Sequence, residues 1–105
     1  FGCLPHGTSL DSIPPLLDRG IRVIDLSADY RLKDAAVYEQ WYREPHRDAA
    51  NLARAVYGLP ELFGGELPDA RLVANPGCYP QTAILGLAPL LANNLIEPTG
   101  IIIDS

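Results

Sequence analysis

The tightest constraint on the fold lies in residues 12–26. Ile13, Leu16 and Leu17 recur at helical spacing, and Pro14 and Pro15 fall where a first turn tolerates them. Gly20 comes next as a helix stop, and Ile21-Arg22-Val23-Ile24-Asp25-Leu26 reads as a buried strand. A helix closed by glycine and succeeded at once by an apolar strand is the second half of a β-α-β unit. That unit predicts a parallel sheet and an α/β fold, because parallel strands need a crossover between them. The 105 residues, 48% hydrophobic and 20% charged, suit one small packed domain and are too apolar for a disordered chain.

The same grammar continues along the chain. Leu4-Pro5-His6-Gly7 is a turn, with Thr8 or Ser9 as a cap for the segment after it. Asp34 is expected to cap a helix that carries Val37, Tyr38, Trp41 and Tyr42 on one core-facing side and ends at Pro45. Residues 46–54 leave room for a second short helix, with His46 read as solvated. Ala55-Val56-Tyr57 reads as a short strand, residues 64–69 as a loop with Glu61 available as a cap before it, and Leu72-Val73-Ala74 as a strand running into Asn75-Pro76-Gly77-Cys78. Beyond Cys78, Ile84, Leu85, Leu87, Ala88, Leu90 and Leu91 fit a helix that Asn93 and Asn94 end. Pro80 suits its first turn; Pro89 predicts a kink or a split into two short helices. Cys3 is read as a buried strand residue and Ile101-Ile102-Ile103 as a strand. Both ends are expected to continue into neighbouring sequence.

The formal charge of −5 and the lack of any Lys/Arg run give no general attraction for nucleic acid or an anionic membrane, so an anionic ligand must be held by local cations. No apolar run reaches the roughly 20 residues that span a bilayer. Cys3 and Cys78 lack metal-type spacing, and the chain opens without signal-peptide features. No metal site and a reducing setting are therefore expected.

Cys78 lies between a strand and the start of a helix. A cysteine attacks as its thiolate, and a helix N-terminus supplies unpaired N–H groups and a partial positive charge that favour the thiolate and an oxyanion formed by its attack. Gly77 allows close approach of the backbone to a ligand, and Pro76 stiffens the turn. Asn75 either orients a substrate carbonyl or ties the turn together. Position alone leaves a second reading open, in which Cys78 is a small buried side chain at a crowded turn.

The run Val73-Ala74-Asn75-Pro76-Gly77-Cys78-Tyr79-Pro80 resembles the active-site motif of the N-acetyl-γ-glutamyl-phosphate reductases of arginine biosynthesis. Three further runs match that family in order: Leu4-Pro5-His6-Gly7, Asp25-Leu26-Ser27-Ala28-Asp29-Tyr30-Arg31-Leu32-Lys33-Asp34 and Val56-Tyr57-Gly58-Leu59-Pro60-Glu61-Leu62. Gln81 stands where the family usually has threonine. The resemblance implies the late part of a Rossmann-like dinucleotide-binding domain over residues 1–71. It further implies the start of an α+β catalytic and dimerisation domain over residues 72–105. It implies attack by Cys78 on an acyl phosphate, loss of phosphate to leave a thioester, and hydride delivery from NADPH to give a semialdehyde. Arg31 is implied as the cation for phosphate, with Ser27 and Asn75 beside the substrate and His6, Gly7, Pro76 and Gly77 along the cofactor. Ser27 has a turn-capping role as its alternative, His6 a pocket-shaping or capping one, and Arg31 a surface salt bridge to Asp29 or Asp34. The family's glycine-rich nucleotide loop is expected before Phe1 and its catalytic histidine beyond Ser105. The resemblance implies that the parent is a cytoplasmic homo-oligomer acting on a small molecule.

Three competitors stay open at this point. One is the relative that reduces a carrier-bound aminoadipyl phosphate in lysine biosynthesis. Another is aspartate-semialdehyde dehydrogenase, which usually has Asn-Cys where this chain has Gly77-Cys78. The third is a non-catalytic binding or assembly module.

Overall fold

A computed structural model describes residues 1–104. Three short strands, β1 (Val23–Asp25), β2 (Val56–Tyr57) and β3 (Leu72–Ala74), form a wholly parallel sheet in the order β1-β3-β2. Val23 pairs with Leu72 and Asp25 with Ala74, while Val56 pairs with Val73. Gly2 lies along the open side of β1, donating to the Ile24 carbonyl at 2.8 Å and accepting from the Leu26 N–H at 2.8 Å. The expected parallel α/β sheet is present, with β1 shorter than the apolar run that announced it. All carboxyl ends therefore share one edge.

Two helices precede β1: α1 (Ser9–Ser12) and α2 (Pro14–Asp18). The helical run starts earlier than the apolar spacing indicates and divides at Ile13, because Pro14 and Pro15 have no N–H to continue the ladder. Thr8 holds the N-cap position without a side-chain bond, since its backbone is already helical. Gly20 has φ +79°, and the bonds from Gly20 N–H to Leu17 O (2.9 Å) and Ile21 N–H to Leu16 O (3.0 Å) close α2 in a Schellman turn. Leu10, Ile13, Val23, Tyr30, Leu52, Ala55, Leu72 and Ala74 make the core, with Leu16, Leu17 and Ala35 against it. Alternation along β1 and β3 places Val23, Asp25, Leu72 and Ala74 on this covered face.

Asp34 caps α3 (Ala35–Tyr42), accepting from Ala36 N–H at 2.7 Å and Val37 N–H at 3.4 Å. The helix ends through Arg43 at φ 62°, two residues before Pro45. Its aromatic side divides: Tyr38 is fully buried but Trp41 is 73% exposed, so the four-residue face is not one core stripe. Asp48 caps α4 (Ala49–Arg54) and also accepts from the Tyr30 hydroxyl at 2.8 Å. His46 is half-buried rather than solvated, because its Nε2 donates to the Asp29 carbonyl at 2.8 Å and its Nδ1 accepts from Asp48 N–H at 3.2 Å. After β2, α5 (Pro60–Phe63) and a 3₁₀ turn (Leu67–Asp69) occupy the stretch read partly as loop, and Leu59 rather than Glu61 is the cap.

One continuous helix, α6 (Cys78–Ala92), passes through Pro89, so the expected pair of short helices does not form. Pro89 has no N–H, so the Leu85 carbonyl goes without its intrahelical donor, yet the helix runs on for three more residues to Ala92. Asn93 donates from its side chain to Pro89 O at 2.7 Å, and Asn94 closes the helix at φ 52°. Two expectations fail at the ends. Cys3 is exposed, and residues 101–104 form no strand. Ile102 is 92% exposed and finds no pairing edge among the described residues, and a strand exists only with a neighbour to receive its hydrogen bonds.

Two substitutions in the full-length protein check this description. Gly20→Ala forces a Cβ into the left-handed region and should lower stability by about 1–2 kcal/mol, read by chemical denaturation. Tyr30 has its phenol pushed above its ordinary value of 10.0, first by burial and then by its bond to Asp48 and the charges of Asp48, Asp25 and Asp29. The unfolded chain thus loses this proton first. The contribution is complete below pH 10 and fades as pH rises above it. Tyr30→Phe should lower stability at neutral pH and flatten the loss between neutral and strongly alkaline pH.

Candidate active site

The turn after β3 is pinned from both sides. Asn75 N–H donates to the Asp25 carbonyl at 2.8 Å, and Gly58 N–H, just past β2, donates to the Ala74 carbonyl at 2.8 Å. A Cβ on Gly58 would come within 2.9 Å of Val73 Cγ1 and 3.3 Å of the Ala74 carbonyl, so this approach depends on glycine. Within the turn, Asn75 Nδ2 donates to the Pro76 carbonyl at 3.1 Å, and Pro76 is buried. Gly77 is the N-cap of α6, its carbonyl accepting from Gln81 N–H at 3.0 Å. Cys78 is the first residue of the helix, a free and exposed thiol. Among the described residues the thiol is open to solvent. Helix geometry leaves the Cys78 and Tyr79 N–H groups without intrahelical acceptors, while Pro80 has no N–H to leave unpaired.

Arg31 reaches this turn from the loop after β1. Its Nε donates to the Asn75 carbonyl at 2.8 Å and its Nη2 to the Leu26 carbonyl at 3.0 Å. Its Nη1 lies 3.0 Å from where a Cβ on Gly77 would stand. The expected alternatives, ion pairs with Asp29 or Asp34, do not form: among the described residues the ion pairs are His6–Asp29 and Arg47–Asp11. The guanidinium charge thus rests on neutral carbonyls beside Cys78. Tyr57, at the end of β2, is close enough to feel it. Burial pushes the Tyr57 phenol up, the Arg31 charge pulls it down, and Tyr42 pushes it up again.

Beneath the loop lies a buried polar network. Asp25 accepts from Ser9 Oγ at 3.0 Å and Ser27 Oγ at 2.6 Å, and Ser27 Oγ in turn accepts from Asp29 N–H at 3.1 Å. The Ser27 hydroxyl thus ties the turn together, donating once and accepting once. Asp29 accepts from Gly7 N–H on both oxygens at 2.9 Å and from the Tyr38 hydroxyl at 3.2 Å. His6 Nδ1 meets Asp29 Oδ1 at 2.7 Å, His6 Nε2 meets the Tyr38 hydroxyl at 3.2 Å, and the ring lies tilted against Tyr42 at 4.5 Å between centroids. Burial, then the charge and hydrogen bond of Asp29, push the Tyr38 phenol above its ordinary range and keep it a donor. Gly7, at φ +81°, gives the turn the shape that brings its N–H onto Asp29.

The structure thus gathers Arg31, Asn75, Pro76, Gly77 and Cys78 at one edge, with His6, Gly7 and Ser27 joined to them through Asp25 and Asp29. Sequence reasoning missed Asp29, Tyr38 and His46 as the hub beneath this edge. The signal available was the pair of acidic residues flanking Ser27 in an otherwise apolar run, since such residues are buried only with partners. Among the described residues no three His, Cys, Asp or Glu side chains converge where a metal could sit. No helix there is long and apolar enough to cross a membrane.

Residues 1–70 match the family model described as semialdehyde dehydrogenase, NAD binding domain. Proteins named N-acetyl-gamma-glutamyl-phosphate reductase are 58% identical over all 105 residues in Desulforudis audaxviator, 58% in Geobacter sulfurreducens and 56% in Geobacter metallireducens. In each case the whole chain aligns, and it spans 30% of the length of the relative. The chain belongs to the semialdehyde dehydrogenase NAD-binding domain family.

Proposed function

We propose that the full-length protein reduces N-acetyl-γ-glutamyl phosphate to N-acetylglutamate semialdehyde, with NADPH, through a thioester on Cys78, as a step of arginine biosynthesis. The observation that carries this reading is the juxtaposition of Arg31, a cation with no carboxylate partner among the described residues, with the turn that presents an exposed Cys78. The names of the relatives supply the substrate, and the family description supports a nicotinamide dinucleotide.

The steps assign each group a task. The Cys78 sulfur attacks the acyl carbon, the C–O bond to phosphate breaks, and phosphate leaves with its electron pair. The free N–H groups of Cys78 and Tyr79 are the donors nearest a carbonyl oxygen that becomes negative during attack. Arg31 Nη1, the nitrogen not bonded to a carbonyl, faces the turn and supplies positive charge for the phosphate. The chemistry that a nicotinamide dinucleotide supplies when bound is hydride transfer. The residues present suit such a group in one respect: the crevice beyond the carboxyl ends of parallel strands is where dinucleotides bind, and the half-exposed His6, Gly7 and Gly77 border it. Pro76 would act by stiffening the turn from below. His6 has both ring nitrogens engaged by Asp29 and Tyr38, so it is assigned to shaping the pocket and not to proton transfer.

The same reading puts the boundary between the dinucleotide-binding part and the catalytic part near residue 71. The end of the family-model match at residue 70 supports it. It also makes the parent a cytoplasmic homo-oligomer. The test is NADP⁺ reduction by the full-length protein with N-acetylglutamate semialdehyde and phosphate. Cys78→Ser should abolish it, because an alcohol in the same place is a far weaker nucleophile. Undiminished activity in Cys78→Ser would remove Cys78 from the mechanism. Wild-type activity with a carrier-bound aminoadipyl semialdehyde alone would replace the substrate.

A further inference from the structure

A cation meant only to grip phosphate would keep its donors free for oxygens of the ligand, and a guanidinium does so best with two parallel N–H groups. Arg31 does not. Its Nε is spent on Asn75 O at 2.8 Å and its Nη2 on Leu26 O at 3.0 Å, carbonyls belonging to two different loops. The guanidinium is planar and its donors stand in a fixed fork, so two such bonds set the separation and tilt of the groups they join. Asn75 is then held at both ends of its backbone, its N–H by Asp25 O at 2.8 Å and its carbonyl by Arg31. Between Asn75 and the helix stand only Pro76 and Gly77. Gly77 is the flexible link, and a Cβ there would meet Arg31 Nη1 at 3.0 Å and Pro80 Cδ at 3.3 Å.

We infer that Arg31 is a positioning residue for the nucleophile: it is a strut between the loop after β1 and the Asn75–Gly77 turn, and it sets the place of Cys78 at the head of α6 before any substrate arrives. Gly77 is its counterpart, glycine being the residue that leaves space for the guanidinium. The inference rests on the reading of Cys78 as nucleophile and adds a role for Arg31 that is present in the free protein. A lysine at position 31 keeps the charge but cannot bond both carbonyls in one plane.

The test is alkylation by iodoacetamide in the full-length protein without substrate or cofactor, with Cys78 and Cys3 monitored separately by mass spectrometry. Both thiols are exposed among the described residues, and Cys3, which lies outside the Asn75–Gly77 turn, serves as the internal standard. Arg31→Lys should change the ratio of Cys78 to Cys3 alkylation rates several-fold and shift the pH profile of Cys78, with Cys3 unaffected. Gly77→Ala should change the ratio in the same direction, and its effect should largely vanish when combined with Arg31→Lys, as coupled neighbours require. If Arg31→Lys does not fold, Gly77→Ala decides alone. An unchanged ratio in the folded variants, with only KM for phosphate raised, would overturn the inference and leave Arg31 as a substrate ligand. That failure is separate from survival of activity in Cys78→Ser, which would overturn the proposed reaction instead.

Discussion

Two carboxyl groups with no exposure to water, Asp25 and Asp29, dictate how this edge of the molecule is built. A buried carboxyl group is tolerated only when its oxygens are met by donors, and the chain brings those donors from separate places. Ser9 comes from the first helix, Ser27 from the loop itself, Gly7 and His6 from the turn before α1, and Tyr38 from α3. No buried side-chain polar atom is left without a partner among the described residues. The loop after β1 is thereby fixed, although it has little regular structure of its own.

Everything chemically interesting hangs on that fixed loop. The Asp25 backbone carbonyl receives the Asn75 N–H, and Arg31, two residues beyond Asp29, donates to the Asn75 carbonyl. The Cys78 turn is thus held by groups that are themselves held by the buried network. Such layering is what a covalent mechanism needs, because a nucleophile misplaced by an ångström forfeits much of its advantage. The parallel topology adds the other requirement. Strand ends Gly2, Asp25, Tyr57 and Ala74 open on one side, so the loops beyond them meet there.

The parallel sheet and the strand-turn-helix around Cys78 were legible in the sequence because both are local. Gly20 and the β-branched run behind it, or Ala74 and the Asn-Pro-Gly behind it, declare their geometry within a few residues. The candidate site was singled out chiefly through resemblance of the four runs; Cys78 by itself gave only a position. What could not be read was long-range. Tyr38 and Trp41 share a helix side by spacing, yet one is sealed by His6 and Asp29 while the other faces water. His46 reads as polar and solvated until the Asp29 carbonyl is brought to it. Ile101–Ile103 have the composition of a strand, but composition cannot supply the neighbour that a strand requires.

A nucleophilic Cys78 must become covalently acylated during turnover. The most direct measurement is the intact mass and peptide map of the full-length protein mixed with N-acetyl-γ-glutamyl phosphate in the absence of NADPH. The expected result is an added N-acetylglutamyl group on the peptide containing Cys78, released by hydroxylamine as a thioester is. An adduct carried by another residue, or a protein that releases phosphate from this substrate with Cys78 never modified, would contradict it.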